Sequence, residues 1–144
     1  MQIKKAMILA AGYGKRMLPL TKQIPKPLIK VGSKNLLERS INLLKTHGIE
    51  QIVINVHYLA DEVEKFISNF KSKIKITISD EKDLLLDTGG GVKEATKIFD
   101  KNPFFILNPD TLWTNNYLRE MRLLEKIYFK NRKPCLLLVN KKLS

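Results

Sequence analysis

The sequence predicts an α/β fold: a Rossmann-like, doubly wound, mostly parallel sheet with helices on both faces. Three observations predict it. Short uncharged apolar runs, such as residues 6–10, read as strands buried on both faces. Between these runs lie segments whose apolar residues recur at a spacing near 3.6, which read as helices. The two kinds alternate along the chain, and parallel neighbours need such crossovers. No internal repeat or low-complexity linker interrupts the alternation. At 144 residues the chain reads as one domain, 1–144, large enough for a core.

The elements follow in order. A first strand, residues 4–10, feeds the loop Gly12-Tyr13-Gly14-Lys15-Arg16. Residues 28–31 form a short extended piece ended by Gly32. Ser33 is placed to cap the next helix, whose inner face is Leu36, Leu37, Ser40, Ile41, Leu43 and Leu44, and Gly48 stops it. Residues 51–56, rich in Ile and Val, are a second buried strand. Asp61 starts a charged helix that turns Val63, Phe66, Ile67 and Phe70 inward. Residues 73–79 alternate Ile74, Ile76 and Ile78 with Lys75 and Thr77, so the third strand is half-buried. Gly91 leads into a helix through Phe99. Residues 104–107 are a fourth strand, ending at Asn108-Pro109-Asp110. Asn115 opens a helix to about residue 130, with heptad-like packing at Leu118, Met121, Leu124 and Ile127. Trp113 reads as packing. A fifth strand is expected over residues 134–140. Within it Cys135, the single cysteine, reads as an inert buried thiol with no internal disulfide.

The net charge is +12, but the lysines are scattered over most helices and turns. There is no basic tail, no arginine stripe and no interleaving of aromatics with cations, so nucleic acid is not the expected partner. No apolar run approaches the length of a membrane span and no signal-peptide pattern is present, so the expectation is a cytoplasmic protein without a membrane partner.

The chemistry concentrates at residues 8–27, ILAAGYGKRMLPLTKQIPKP. Glycines free the backbone to turn and let amide N–H groups approach an anion. Lys15 and Arg16 place two cations beside those amides, and Lys26 stands between Pro25 and Pro27. Such a loop suits a polyphosphate, although a tight turn with surface lysines would use some of the same residues. Two familiar phosphate loops are excluded. A P-loop requires glycine where Leu9 stands and Ser or Thr where Arg16 stands. A dinucleotide fingerprint requires a third glycine where Met17 stands, and Pro19 interrupts the helix it needs. In doubly wound sheets, ligands bind beyond the carboxyl ends of the strands. Asn55 and His57 close the second strand, Glu81 and Thr88-Gly89-Gly90-Gly91 follow the third, and Asp110 follows the fourth.

The motif L-A-A-G-x-G-x-R-M followed by P-K-P-L resembles the signature of the sugar-1-phosphate nucleotidyltransferases. It is most similar to bacterial mannose-1-phosphate guanylyltransferase-like and N-acetylmuramate-1-phosphate uridylyltransferase proteins. The resemblance implies a nucleotide-diphospho-sugar transferase type of fold, an NTP and a sugar 1-phosphate as partners, and Mg2+ as cofactor. It implies nucleotide binding by Ala10, Ala11, Gly12, Gly14, Lys15, Arg16, Glu81, Thr88, Gly89 and Gly90. It further implies catalytic roles for Arg16 and Lys26, substrate contacts by Lys26, Asn55 and His57, and Asp110 as metal ligand. Asp80 and Asp83 compete with Glu81 for the base, and Asp110 read by itself is also a helix cap. Where such proteins carry a small residue before this aspartate, the chain has Pro109, which has no N–H to donate.

The resemblance covers only the nucleotide-binding half of a usual family member, so the chain reads as truncated at its C-terminus. The part that follows in relatives supplies much of the sugar pocket and a second metal-binding aspartate, and no carboxylate follows Glu125. Three functions are therefore weighed: a sugar-nucleotide pyrophosphorylase domain, a fragment that binds nucleotide without turnover, and a basic nucleic-acid-binding domain with steep salt dependence. Uridine and guanosine remain open as the base, the sugar remains open, and so does the oligomeric state, since an exposed final strand could recruit a partner.

Overall fold

The structure is a computed structural model describing residues 1–81 and 88–136. Among the described residues, four strands form one parallel sheet: β1 (Lys5–Leu9), β4 (Gln51–Val56), β5 (Lys75–Asp80) and β6 (Phe104–Leu107). Their spatial order is β5-β4-β1-β6. From β1 the chain moves outward through β4 and β5, then returns to add β6 on the other side of β1. The order therefore reverses between β1 and β6, the position where such sheets place a ligand.

The uncharged runs are buried because both faces of the sheet are covered. On one face Ala6, Ile8, Ile52, Ile54 and Val56 join one core with Leu37, Ile41 and Leu44 of α1 (Leu36–His47), Val63 of α2 (Ala60–Asn69) and Met121 of α4 (Leu118–Asn131). On the other, Met7 and Val53 pack with Ala95 and Phe99, from α3 (Thr88–Ala95) and the 3-10 turn after it. The odd–even division follows from the two-residue period of a strand. β5 is half-buried, as its sequence predicts, and the fold places it at the sheet edge.

Several local expectations are corrected. Ser33 does not cap α1. It lies in the turn of a small hairpin of β2 (Lys30–Val31) and β3 (Lys34–Asn35), made possible by Gly32 at φ +67°. The cap is Asn35, whose side chain accepts from the Glu38 N–H at 2.7 Å. Gly48 does end α1, in the left-handed region. The helix expected from Gly91 begins three residues earlier, so that Thr88-Gly89-Gly90-Gly91 is the first turn of α3 itself. The helix expected from Asn115 starts as a 3-10 turn and becomes α-helical at Leu118. On α4, Ile127 is exposed and Glu125 takes a buried position instead. The Ile3 N–H at the entry to β1 donates to the Glu125 carboxylate, so a core-facing slot holds an acid. Pro134 to Leu136 show no strand, and the rest of the expected fifth strand lies outside the described residues. Cys135 is half-buried, not buried.

Trp113 packs on the core, its indole N–H donating to the Asn108 carbonyl at 2.8 Å. His47, in the last turn of α1, is buried edge-on to Phe105, with Nε2 3.7 Å from Glu125. Burial lowers its pKa below the ordinary 6.5. The Glu125 carboxylate opposes this, and Arg122 and Lys4 reinforce it. Because the unfolded chain binds this proton more readily, the associated stability is present above 6.5 and is lost as pH falls below it. The urea midpoint of the native chain is expected to drop as pH falls through this range, and His47→Gln is expected to flatten that part of the profile. An unchanged slope in the variant would disprove the assignment.

Candidate active site

The loop after β1 is tied down by its neighbours. Asn55, near the end of β4, is 5% exposed, and both ends of its amide are used. Its Oδ1 accepts from the Ala10 N–H at 3.0 Å, and its Nδ2 donates to Glu81 Oε1 at 2.9 Å. The Ala10 amide is thus engaged within the protein, while the loop beyond it leaves the sheet. Of the three acids that compete for the base, Glu81 is buried, Asp80 is exposed, and Asp83 lies outside the described residues. A Cβ at Gly91 would stand 2.7 Å from Glu81 Oε1 and 3.2 Å from Asn55 Nδ2. Gly91 is therefore the residue that lets α3 start against this pair. Thr88 and Gly89 are exposed at the same helix start, with Gly90 between exposed and buried.

His57 sits just beyond β4. Its Nδ1–H donates to the Glu81 carbonyl at 2.6 Å, and its Nε2 is hydrogen-bonded to the Tyr13 hydroxyl at 2.9 Å. The imidazole thus bridges β5 to the tip of the loop.

Within the loop the two glycines differ in kind. Gly14 has φ +65°, and a Cβ there would lie 2.8 Å from Thr21 Cγ2 and 3.2 Å from Lys26 Cβ. Its carbonyl accepts from the Met17 N–H and the Thr21 hydroxyl. A Cβ at Gly12 would meet nothing within 4 Å, and its φ lies outside the left-handed region. The fold explains Gly14; it does not explain Gly12. Ala11 is buried beneath the loop. Lys15 lies over the Tyr13 ring at 5.3 Å, and Arg16 is exposed.

Pro25 and Pro27 are buried and hold Lys26 between them. Its Nζ reaches Asp110 Oδ2 at 2.6 Å, a contact between residues 84 apart in sequence. The pair spans the reversal between β1 and β6. The structure therefore brings the loop, Lys26 and Asp110 together, while Asn55, His57 and Glu81 form a buried and half-buried support beside them. Among the described residues, no group of three or more His, Cys, Asp or Glu is placed to hold a metal ion. An exposed Asp110 oxygen already against one cation fits the alternative, a magnesium site that takes one carboxylate and completes itself with phosphate oxygens.

Thr21, Tyr13 and Tyr58 are members of the site that sequence reasoning missed. Tyr58 donates its hydroxyl to the Thr21 and Lys22 carbonyls at 3.0 and 3.3 Å and so anchors the descending limb of the loop. Tyr13 had a signal, its place between the glycines. Thr21 and Tyr58 had none, because each matters only through a long-range contact.

The model of the family described as Nucleotidyl transferase matches residues 5–136. The chain belongs to this nucleotidyl transferase family. Among curated relatives, an N-acetylmuramate α-1-phosphate uridylyltransferase of Caulobacter vibrioides is 42% identical over 113 residues, covering 76% of this chain and 47% of that protein. A mannose-1-phosphate guanyltransferase of Gibberella zeae is 38% identical over 111 residues, covering 75% of this chain and 30% of that protein. The chain thus spans half or less of the length of these relatives. HddC from Yersinia pseudotuberculosis, solved with GMP-PN, superposes with a TM-score of 0.70 at 28% identity, over 84% of this chain and 54% of that one. A UDP-glucose pyrophosphorylase solved with UDP-glucose has a TM-score of 0.76 at 21% identity, over 91% of this chain and 55% of that one, and shares the fold. The match to the nucleotidyl transferase family includes the loop whose geometry is described above.

Proposed function

We propose that the chain is the nucleotide-binding half of a sugar-1-phosphate nucleotidyltransferase, acting in the cytoplasm on an NTP and a sugar 1-phosphate. The observation that carries this reading is the 2.6 Å contact of Lys26 with Asp110 beside the Gly12 loop. It joins two oppositely charged residues of separate segments at the reversal of the sheet, next to a glycine the fold itself does not require.

In the reaction, an oxygen of the sugar phosphate forms a bond to the α-phosphorus of the NTP. The bond from that phosphorus to the bridging oxygen breaks, and pyrophosphate leaves with the electron pair. The second pKa of a phosphate monoester is near ~6, so the nucleophile is already ionised and needs no general base. Catalysis is orientation and neutralisation of charge. Backbone amides around Gly12 and Gly14 hold the triphosphate, Arg16 stabilises the leaving pyrophosphate and Lys15 assists. Lys26 bridges the attacking phosphate and the α-phosphate. Magnesium held by Asp110 and substrate oxygens would supply further neutralisation. Thr88, Gly89 and Gly90 border the nucleoside. Asn55, Glu81 and His57 act on the nucleotide through the loop they hold.

The test is pyrophosphate release with each common NTP and a panel of sugar 1-phosphates, beginning with UTP and GTP. Turnover with one pair identifies base and sugar. Magnesium-dependent nucleotide binding without turnover would mean that this half binds and the remaining length of such a protein supplies the acceptor site. Absence of binding would refute the proposal. Arg16→Ala is expected to weaken triphosphate binding at least tenfold by calorimetry, whereas Lys71→Ala, at a distant exposed position, is expected to leave it nearly unchanged. Equal effects would remove Arg16 from the site.

A further inference from the structure

The outward side of α4 is charged in one sense only. Arg119, Leu123, Lys126 and Lys130 recur at helical spacing along one line and are all exposed, with Arg122 and Ile127 exposed on its flanks. No exposed carboxylate shares this ridge. Glu125 points into the core, and Glu120 is half-buried with its Oε2 enclosed. Leu123 is 57% exposed and Ile127 38%, one turn apart among four cations. The cations are not spent on ion pairs within the described residues. An open cavity of about 520 Å³ beside the ridge continues the same character, lined by Arg119, Arg122, Leu123 and Lys126 with Asn115 and Asn116.

We propose that α4 docks this face on an anionic lipid surface, lying along it without crossing it. Charge complementarity requires an anionic occupant and disfavours a second copy of the chain, which would set four cations against four. The aliphatic pair decides between anionic occupants. Leu123 and Ile127 gain little against a phosphodiester backbone, and the ridge carries no exposed aromatic on which a base could stack. Between headgroups the same side chains reach the acyl boundary while the flanking cations meet lipid phosphates. The helix is too short and too charged to span a bilayer, and none of the described helices is long and apolar enough to do so. Association of this kind is peripheral and involves none of the residues of the proposed nucleotide site, which lies where the strand order reverses between β1 and β6. The proposal does not depend on the nucleotidyltransferase reading.

The experiment is co-sedimentation of the chain with vesicles of phosphatidylcholine alone or with one-third phosphatidylglycerol, at physiological salt. Binding is expected only to the anionic vesicles. Arg119→Glu/Lys126→Glu should lower partitioning at least about thirtyfold, from the loss of two cations near the surface. Leu123→Ser, which leaves the charge unchanged, should lower it about tenfold. Lys71→Glu/Lys73→Glu, an equal charge change at exposed positions on another segment, should stay within about threefold. An equal loss in that control, or no effect of Leu123→Ser, would reduce the binding to diffuse adsorption of a basic protein and overturn the proposal. So would failure to bind anionic vesicles, including the case where a heparin fragment binds and the same ridge substitutions abolish it.

Discussion

Gly14→Ala is expected to destabilise the chain by roughly 2–4 kcal/mol, combining a left-handed backbone with overpacking. At φ +65° an L side chain is strained, and its Cβ would stand 2.8 Å from a Thr21 methyl that is itself fully buried. Thr21 cannot step back without releasing its hydrogen bond to the Gly14 carbonyl, and the 3.2 Å contact with Lys26 Cβ pushes that lysine in the same movement. The informative comparison is Gly12→Ala. A Cβ there meets nothing within 4 Å, and the backbone needs no positive φ, so stability should stay within about 1 kcal/mol of native. Nucleotide affinity should nonetheless fall at least tenfold, because the space a Cβ would fill is the space a phosphate needs. Thermal melts and calorimetric titrations on the two variants separate the effects. A Gly12→Ala protein that binds nucleotide as tightly as native would end the assignment of this loop to phosphate. A Gly14→Ala protein as stable as native would refute the steric account.

Asn55→Asp is expected to have the second large effect, and one that depends on pH. The new carboxylate can still accept the Ala10 N–H, but it faces Glu81 across a gap now bridged by an N–H···O bond of 2.9 Å. Two buried carboxylates at that separation cannot both remain charged, so near neutral pH the variant should be destabilised by roughly 3 kcal/mol or more. One of the two carboxyls will then have a folded pKa above its unfolded value of about 4. By linkage the deficit is smallest at low pH, where that proton is bound, and grows as pH rises through the raised folded value. Measured as the difference from the native chain at each pH, which cancels the His47 contribution, the deficit should shrink on acidification. Asn55→Ala should lose both hydrogen bonds and show no such recovery. If the deficits of the two variants run parallel with pH, the Asn55–Glu81 contact does not support the loop.

The sheet was legible in the sequence because its signals are local and redundant. Residues 51–56 and 104–107 read as strands at their observed bounds, since runs this short, rich in Ile, Val, Phe and Leu and bounded by turn residues, favour strand over helix. Gly48 as the end of α1 was legible for the same reason. The hairpin before α1 was not. Its strands have two residues each, too few to establish a period, so Ser33 looked like a cap and Asn35 did not. Ile127 and Glu125 show another limit. A heptad reading ranks residues by polarity, and only the folded chain reveals that the Ile3 N–H needs an acceptor at the position of Glu125.

For the site, the sequence by itself determined the residue types: glycines, Lys15 and Arg16 at the end of a buried strand, a lysine locked between prolines, and an aspartate after the fourth strand of the parallel sheet. Residue type and local backbone freedom suffice for that, because they are properties of short segments. Only the tertiary structure decided which of these residues meet. It set Lys26 on Asp110, turned Asn55 and Glu81 into a buried clamp on Ala10, and distinguished a glycine required by the fold from one that is not. The physical reason is that hydrogen bonds and steric contacts act over a few ångströms in space. The parallel sheet brings together residues as far apart as 26 and 110, and no pattern along the chain encodes that closeness.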